Sequence, residues 1–91
     1  MTLPVRPTNL TADVAKHGQV TLKWRDNADN ETGFQIERST NGTVFAVIAS
    51  LAANTTRYKD ARAVDGQTYY YRVAAANKVG LSPYSNIVTT R

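Results

Sequence analysis

Ninety-one residues with 42% hydrophobic and 20% charged side chains make one soluble globular domain at most, and they argue against disorder. The net charge is +4 and there is no cysteine, so disulfides, thiol chemistry and thiolate metal sites are excluded. The charge is too mild, and the basic residues too scattered, to mark a nucleic-acid module, and no apolar run approaches the ~18 residues of a membrane-spanning helix.

No window keeps apolar residues at helical spacing for three turns, whereas alternation with a period of two recurs along the chain. Residues 1–7 carry neither the charged end nor the apolar centre of a signal peptide. They read as a linker or lead-in, with Pro4 and Pro7 suited to a stiff joint or a sheet edge. Met1 directly at a domain edge reads as a unit excised from a longer protein, with any export signal outside it. A single domain is expected over 8–91. Its strands fall at roughly 8–13, 19–25, 33–39, 44–50, 55–60, 67–77 and 85–90, separated by Gly, Asn, Asp and Pro clusters. Seven short strands without a helix predict an all-β, seven-stranded antiparallel β-sandwich.

Alternation also sorts the side chains. Leu10, Val20, Leu22, Trp24, Phe34, Ile36, Tyr58, Tyr69, Tyr71 and Val73 are expected in the core, with Phe45, Val47 and Ala49 inward and Ile48 outward. The stretch TYYYRVAAAN (68–77) then holds two core tyrosines and one surface tyrosine, not a continuous aromatic platform. Tyr69, just after Asp65-Gly66, suits a tyrosine corner.

The runs TNLTA, VTLKW, DNETGFQIERS, FAVIA, TRYKD, DGQTYYYRVAAAN and GLSPYSN extend nearly end to end. Together they resemble a fibronectin type III domain of the kind found in bacterial multidomain extracellular proteins. Two departures are Ala63, where many relatives carry a larger apolar residue, and the lack of an Arg-Gly-Asp tripeptide. The resemblance implies an immunoglobulin-like topology, with the first, second and fifth strands in one sheet and the other four in the second. It also implies a non-catalytic spacer or accessory module of a larger, secreted protein, with neighbouring domains as its partners. The alternative is a binding module for polysaccharide, a cell surface or a partner protein.

The residues themselves bring no catalytic set. Trp24 could stack on a sugar, but its inward place favours the core. Glu37 and Arg72 face outward on neighbouring strands and suit a cross-strand ion pair of roughly 0.2–1 kcal/mol. Glu37 lacks the second carboxylate that a glycosidase needs about 5–10 Å away. Asp26, Asp29 and Glu31 fail the EF-hand spacing and read as a polar turn. His17 has no companion ligand, the serines at 39, 50, 82 and 85 have no base at triad spacing, and the PxxP at 4–7 and the four N-x-Thr sequons read as chance matches. No cofactor, metal, nucleic acid or membrane insertion is expected, and the isolated domain should be a monomer.

Two surfaces remain as candidates. Lys23, Arg25, Arg57 and Lys59 should form a basic stripe on the outer face of the smaller sheet, read either as a solvated face or as a contact for an anionic polymer. Lys78, Leu81 and Tyr84 lie in the 77–85 loop, which should share a pole with the 26–32 loop, the 41–43 turn joining them only in part.

Overall fold

The computed structural model describes residues 2–90. Met1 and Arg91, the outer limits of the expected lead-in and domain, lie outside the described residues. Seven strands run in chain order: β1 Thr8–Val14, β2 Val20–Arg25, β3 Gly33–Ser39, β4 Ala46–Ala52, β5 Arg57–Asp60, β6 Tyr70–Ala76 and β7 Val88–Thr89. They form two antiparallel sheets, β1-β2-β5 and β4-β3-β6-β7. The fold is the sandwich that alternation and turn spacing predict.

β-Branched and aromatic residues at alternate positions create one apolar face per strand, and the two sheets close those faces on each other. Leu10, Val20, Leu22, Trp24, Phe34, Ile36, Tyr69, Tyr71 and Val73 join Ala63 and Ala75 in one buried cluster, with Tyr58 packed partly buried against it. The Trp24 and Phe34 rings meet at 5.7 Å, tilted by 56°. Each fully buried Val, Leu, Ile or Phe side chain contributes about 1.5–3 kcal/mol.

Three local features depart from simple alternation. In β4, Ala49 pairs with Ile36 while Val47 pairs with Glu37, so Ile48 is an extra residue in a bulge. The bulge shifts the side-chain phase: Ile48 packs against the core and Val47 is exposed, the reverse of the expected faces. β4 also starts at Ala46 rather than 44, because Asn41 Oδ1 accepts the backbone N–H groups of Thr43 and Val44 at 3.0 Å each and holds them in a turn. The seventh strand shrinks to two residues, because Ser82 and Ser85 replace part of its ladder. Their hydroxyls accept the N–H groups of Ala75 (2.9 Å) and Val73 (3.0 Å), while their own N–H groups donate to the carbonyls of the same residues. Pro83, which has no N–H, lies between them.

Strands that reverse at each connection put the chain ends at opposite poles. At one pole the Thr2 carbonyl accepts the side-chain amides of Asn30 and Asn77. At the other, Thr90 and Tyr69 are joined by two hydrogen bonds of 3.0 Å. The long dimension is 43 Å. The segment before β1 lies against the body: Pro4 and Pro7 are buried, and the Arg6 carbonyl accepts from the Asn27 amide.

Candidate interaction surfaces

The outer face of the larger sheet is built around Glu37. Register puts it directly opposite Arg72, and Arg72 donates to Glu37 Oε1 through Nε (3.0 Å) and Nη2 (2.8 Å). Gln35 Nε2 and the Tyr84 hydroxyl donate to Oε2 at 2.7 and 2.9 Å. The Arg72 guanidinium sits between two rings, 4.1 Å from the Phe45 centroid and 3.7 Å from that of Tyr84. The expected pair therefore forms but is not a surface pair: Glu37 is only 4% exposed, because Arg72 lies over it between two aromatics. Burial raises the Glu37 carboxyl, yet the hydrogen bonds from Arg72, Gln35 and Tyr84 and the Arg72 charge outweigh it and hold it below the ordinary glutamate range.

This arrangement decides two roles. A carboxylate held ionised by four donor atoms cannot serve as a general acid near neutrality. Arg72 covers the face that Phe45 and Tyr84 each turn toward it, so those two ring faces are closed to a sugar. Tyr84 is thus committed to this cluster, and burial together with its bond to Glu37 raises its phenol pKa. Lys78 is exposed in the 77–85 loop, and Leu81 is half-buried, bridged to Ala76. That loop shares its pole with 26–32, where Asn77 donates to the carbonyl of Asn30. The 41–43 turn does not join them: Gly42 lies beside the Tyr70 ring at the opposite pole.

A second polar cluster was not foreseen. Asp60, 2% exposed at the end of β5, accepts the Tyr71 hydroxyl (2.7 Å) and Arg38 Nη1 (2.8 Å) on Oδ2, and the Arg62 N–H (3.2 Å) on Oδ1. Asp60 belongs to one sheet, Arg38 and Tyr71 to the other, so the cluster bolts the layers together. Arg38 also lies 4.8 Å from the Tyr69 centroid. Burial and the bond to Asp60 push the Tyr71 phenol far up, so it stays a neutral donor. Period-two alternation from Tyr58 already places Asp60 inward, a signal masked by the habit of reading aspartate as surface.

Tyr69 forms the tyrosine corner: its hydroxyl accepts the N–H of Val64 at 3.0 Å. Trp24 is 6% exposed, and its Nε1 is the one fully buried side-chain nitrogen or oxygen without a hydrogen-bond partner among the described residues. Surface hollows of about 210, 430 and 400 Å³ occur, and neither Trp24 nor Tyr71 lines any of them. In the 26–32 loop, Asp26 and Glu31 hydrogen-bond to each other. Burial and that bond raise Asp26; for Glu31, burial acts upward, but the bonds from Asp26 and the backbone lower it. Carboxyls in direct contact are too close for either glycosidase geometry. The loop is closed locally, with Asp26 accepting the Ala28 N–H and Glu31 that of Asn54.

The basic stripe is exposed. Lys23 stands directly opposite Arg57, and Arg25 and Lys59 lie one step further along the same face in opposite directions. None of these side chains has an ion-pair partner among the described residues, whose salt bridges are Arg38–Asp60 and Arg72–Glu37.

Comparison with known proteins agrees with this architecture. A crystal structure of a Fn3-like protein from Clostridium thermocellum superposes with a TM-score of 0.83 at 27% identity, covering 97% of this chain and 92% of that one. Pectate lyase PelI from Erwinia chrysanthemi gives a TM-score of 0.82 at 27% identity over 94% of this chain but only 27% of its own. An amylopullulanase of Thermoanaerobacterium thermosulfurigenes is 33% identical over 81 residues, 88% of this chain, and the match spans only 4% of that enzyme's length. Such modules thus occur inside much longer bacterial enzymes. The Fibronectin type III domain model matches residues 5–91, and the chain belongs to the fibronectin type III family.

Proposed function

We propose that this domain is a non-catalytic spacer and accessory module of a larger, secreted multidomain protein, setting the distance and orientation of its neighbours. The observation that carries the reading is the placement of the chain ends at opposite poles of a unit 43 Å long. A chain entering at one pole and leaving at the other joins its neighbours in line. Pro4 and Pro7, buried against the body, fix the direction in which the chain enters at the first pole. Two of the three strand-borne carboxylates support the absence of chemistry: Glu37 and Asp60 are both buried and bound by several donors. Export from the cell is inferred from the enzymes in which similar modules sit.

The test is small-angle scattering of two copies joined head to tail through the 1–7 segment. The spacer reading expects a maximum dimension near twice that of one copy. A folded-back pair little longer than one copy would overturn it. A second reading, a binding module, is favoured by the exposed basic face of the smaller sheet, whose cations have no partner among the described residues.

A further inference from the structure

We infer that the outer face of β1-β2-β5 and the cleft at the β5 edge form one continuous track for a linear acidic polysaccharide, a polymer of carboxylate-bearing sugars. The inference rests on the binding reading just given and is independent of the spacer reading.

Register lays out the face. Thr8 pairs with Arg25, Thr11 with Lys23 and Lys23 with Arg57, and Asp13 pairs with Thr21 and Thr21 with Lys59. Side chains of directly paired residues share a face. The cations therefore run diagonally from Arg25 through Lys23 and Arg57 to Lys59, over about 13 Å at ~3.3 Å per residue. Asp13, at one corner, is the sole acid among these paired residues. Like charges set directly opposite each other destabilise a sheet. Lys23 and Arg57 do so with no carboxylate to relieve them, and a bound polyanion would supply the missing charge.

The track continues past the β5 edge. Lys59 also lines a cleft of about 430 Å³, together with Arg38 and Arg62. Arg38 commits Nη1 to Asp60 and lies beside the Tyr71 hydroxyl, while the Arg62 side chain has no hydrogen-bond or ion-pair partner among the described residues. The one carboxylate in the cleft is already neutralised by Arg38. Free guanidinium donors in a fixed fork match a carboxylate in bidentate geometry. The flat face would attract the polymer and the cleft would grip one of its acid groups.

Two features favour a sugar polymer over a nucleic acid. The paired residues of this face include no aromatic ring, and Tyr58, the one ring lining the cleft, is packed against the core, so bases would find no stacking platform along the face. Thr11 and Thr21 border the cations and offer hydroxyls to sugar hydroxyls.

The test is binding of the intact domain to soluble polygalacturonate at about 0.02 M and about 0.5 M salt, with neutral pullulan, single-stranded DNA and anionic phospholipid vesicles as separate arms. Two variants accompany it: Lys23→Thr/Arg57→Thr on the face and Arg62→Ala in the cleft. The expected result is binding to polygalacturonate at low salt that exceeds every other arm and is lost at high salt. Each variant should weaken it by about tenfold or more, while the thermal midpoint of Lys23→Thr/Arg57→Thr stays level or rises. Equal retention on pullulan, stronger binding to DNA or vesicles, or wild-type affinity in both variants would overturn the inference. None of those results would touch the in-line geometry tested by scattering.

Discussion

Replacing Asp60 with alanine should be among the most damaging single changes on this chain outside the apolar core. The carboxylate is 2% exposed and accepts three donors, from Tyr71, Arg38 and the Arg62 backbone. Its loss leaves the Tyr71 hydroxyl, on a residue 0% exposed, without a partner, at about 1–3 kcal/mol. Breaking a buried ion pair by removing one member costs about 3–5 kcal/mol. The Arg38 side chain is 26% exposed, so water recovers part of that cost. A total of about 3 kcal/mol follows, a large share of the roughly 5–13 kcal/mol expected for a domain of this size. Tyr71→Phe removes one hydroxyl and leaves Asp60 with Arg38, so it should cost about 1–1.5 kcal/mol. The assay is urea unfolding followed by the emission of Trp24, the one tryptophan of the chain. The double variant should fall short of the sum of the singles by about 1 kcal/mol or more. A loss below ~1 kcal/mol for Asp60→Ala, or strict additivity with Tyr71→Phe, would refute the inter-sheet bolt.

Other perturbations test separate parts of the account. Because the Glu37 carboxyl is held below its unfolded value of about 4.3, its contribution should be whole above that pH and fade as the pH falls through the folded value. The stability gap between wild type and Glu37→Gln, read from denaturation curves at a series of pH values from about 7 downward, should therefore narrow at the acid end. Gly18→Ala should cost about 1–3 kcal/mol, since φ is +88° and a Cβ would lie 2.5 Å from the Asp65 Cα. Gly66→Ala, at φ +85° with nothing within 4 Å of its Cβ, should cost less in the same thermal melts. Trp24→Ala should lower stability by about 3–5 kcal/mol, read by circular dichroism; a loss under ~1 kcal/mol would show that Trp24 does not anchor the core.

Much of the fold was legible because burial in a sandwich follows a period of two. Val20-Leu22-Trp24 and Tyr69-Tyr71-Val73 announce their inward faces without further help. What escaped depended on contacts between distant segments. The Ile48 bulge depends on the register between β3 and β4, which the 44–50 stretch alone does not specify. Ser82 and Ser85 show no base at triad spacing in the sequence, but their actual role, filling the ladder beside β6, depends on a register that only the fold supplies. Glu37 reads as a surface acid because its cover, Phe45 and Tyr84, arrives from two other strands' flanks. The basic stripe was visible in the sequence, whereas its continuation into the Arg38–Arg62 cleft needed the fold.

The spacer account stands or falls on whether the domain holds its two ends apart in solution. Pulsed electron–electron resonance between spin labels at Thr2 and Thr90 measures that separation directly. The account predicts a single narrow distribution comparable with the 43 Å long dimension. A broad distribution, or one centred at half that length or less, would contradict it.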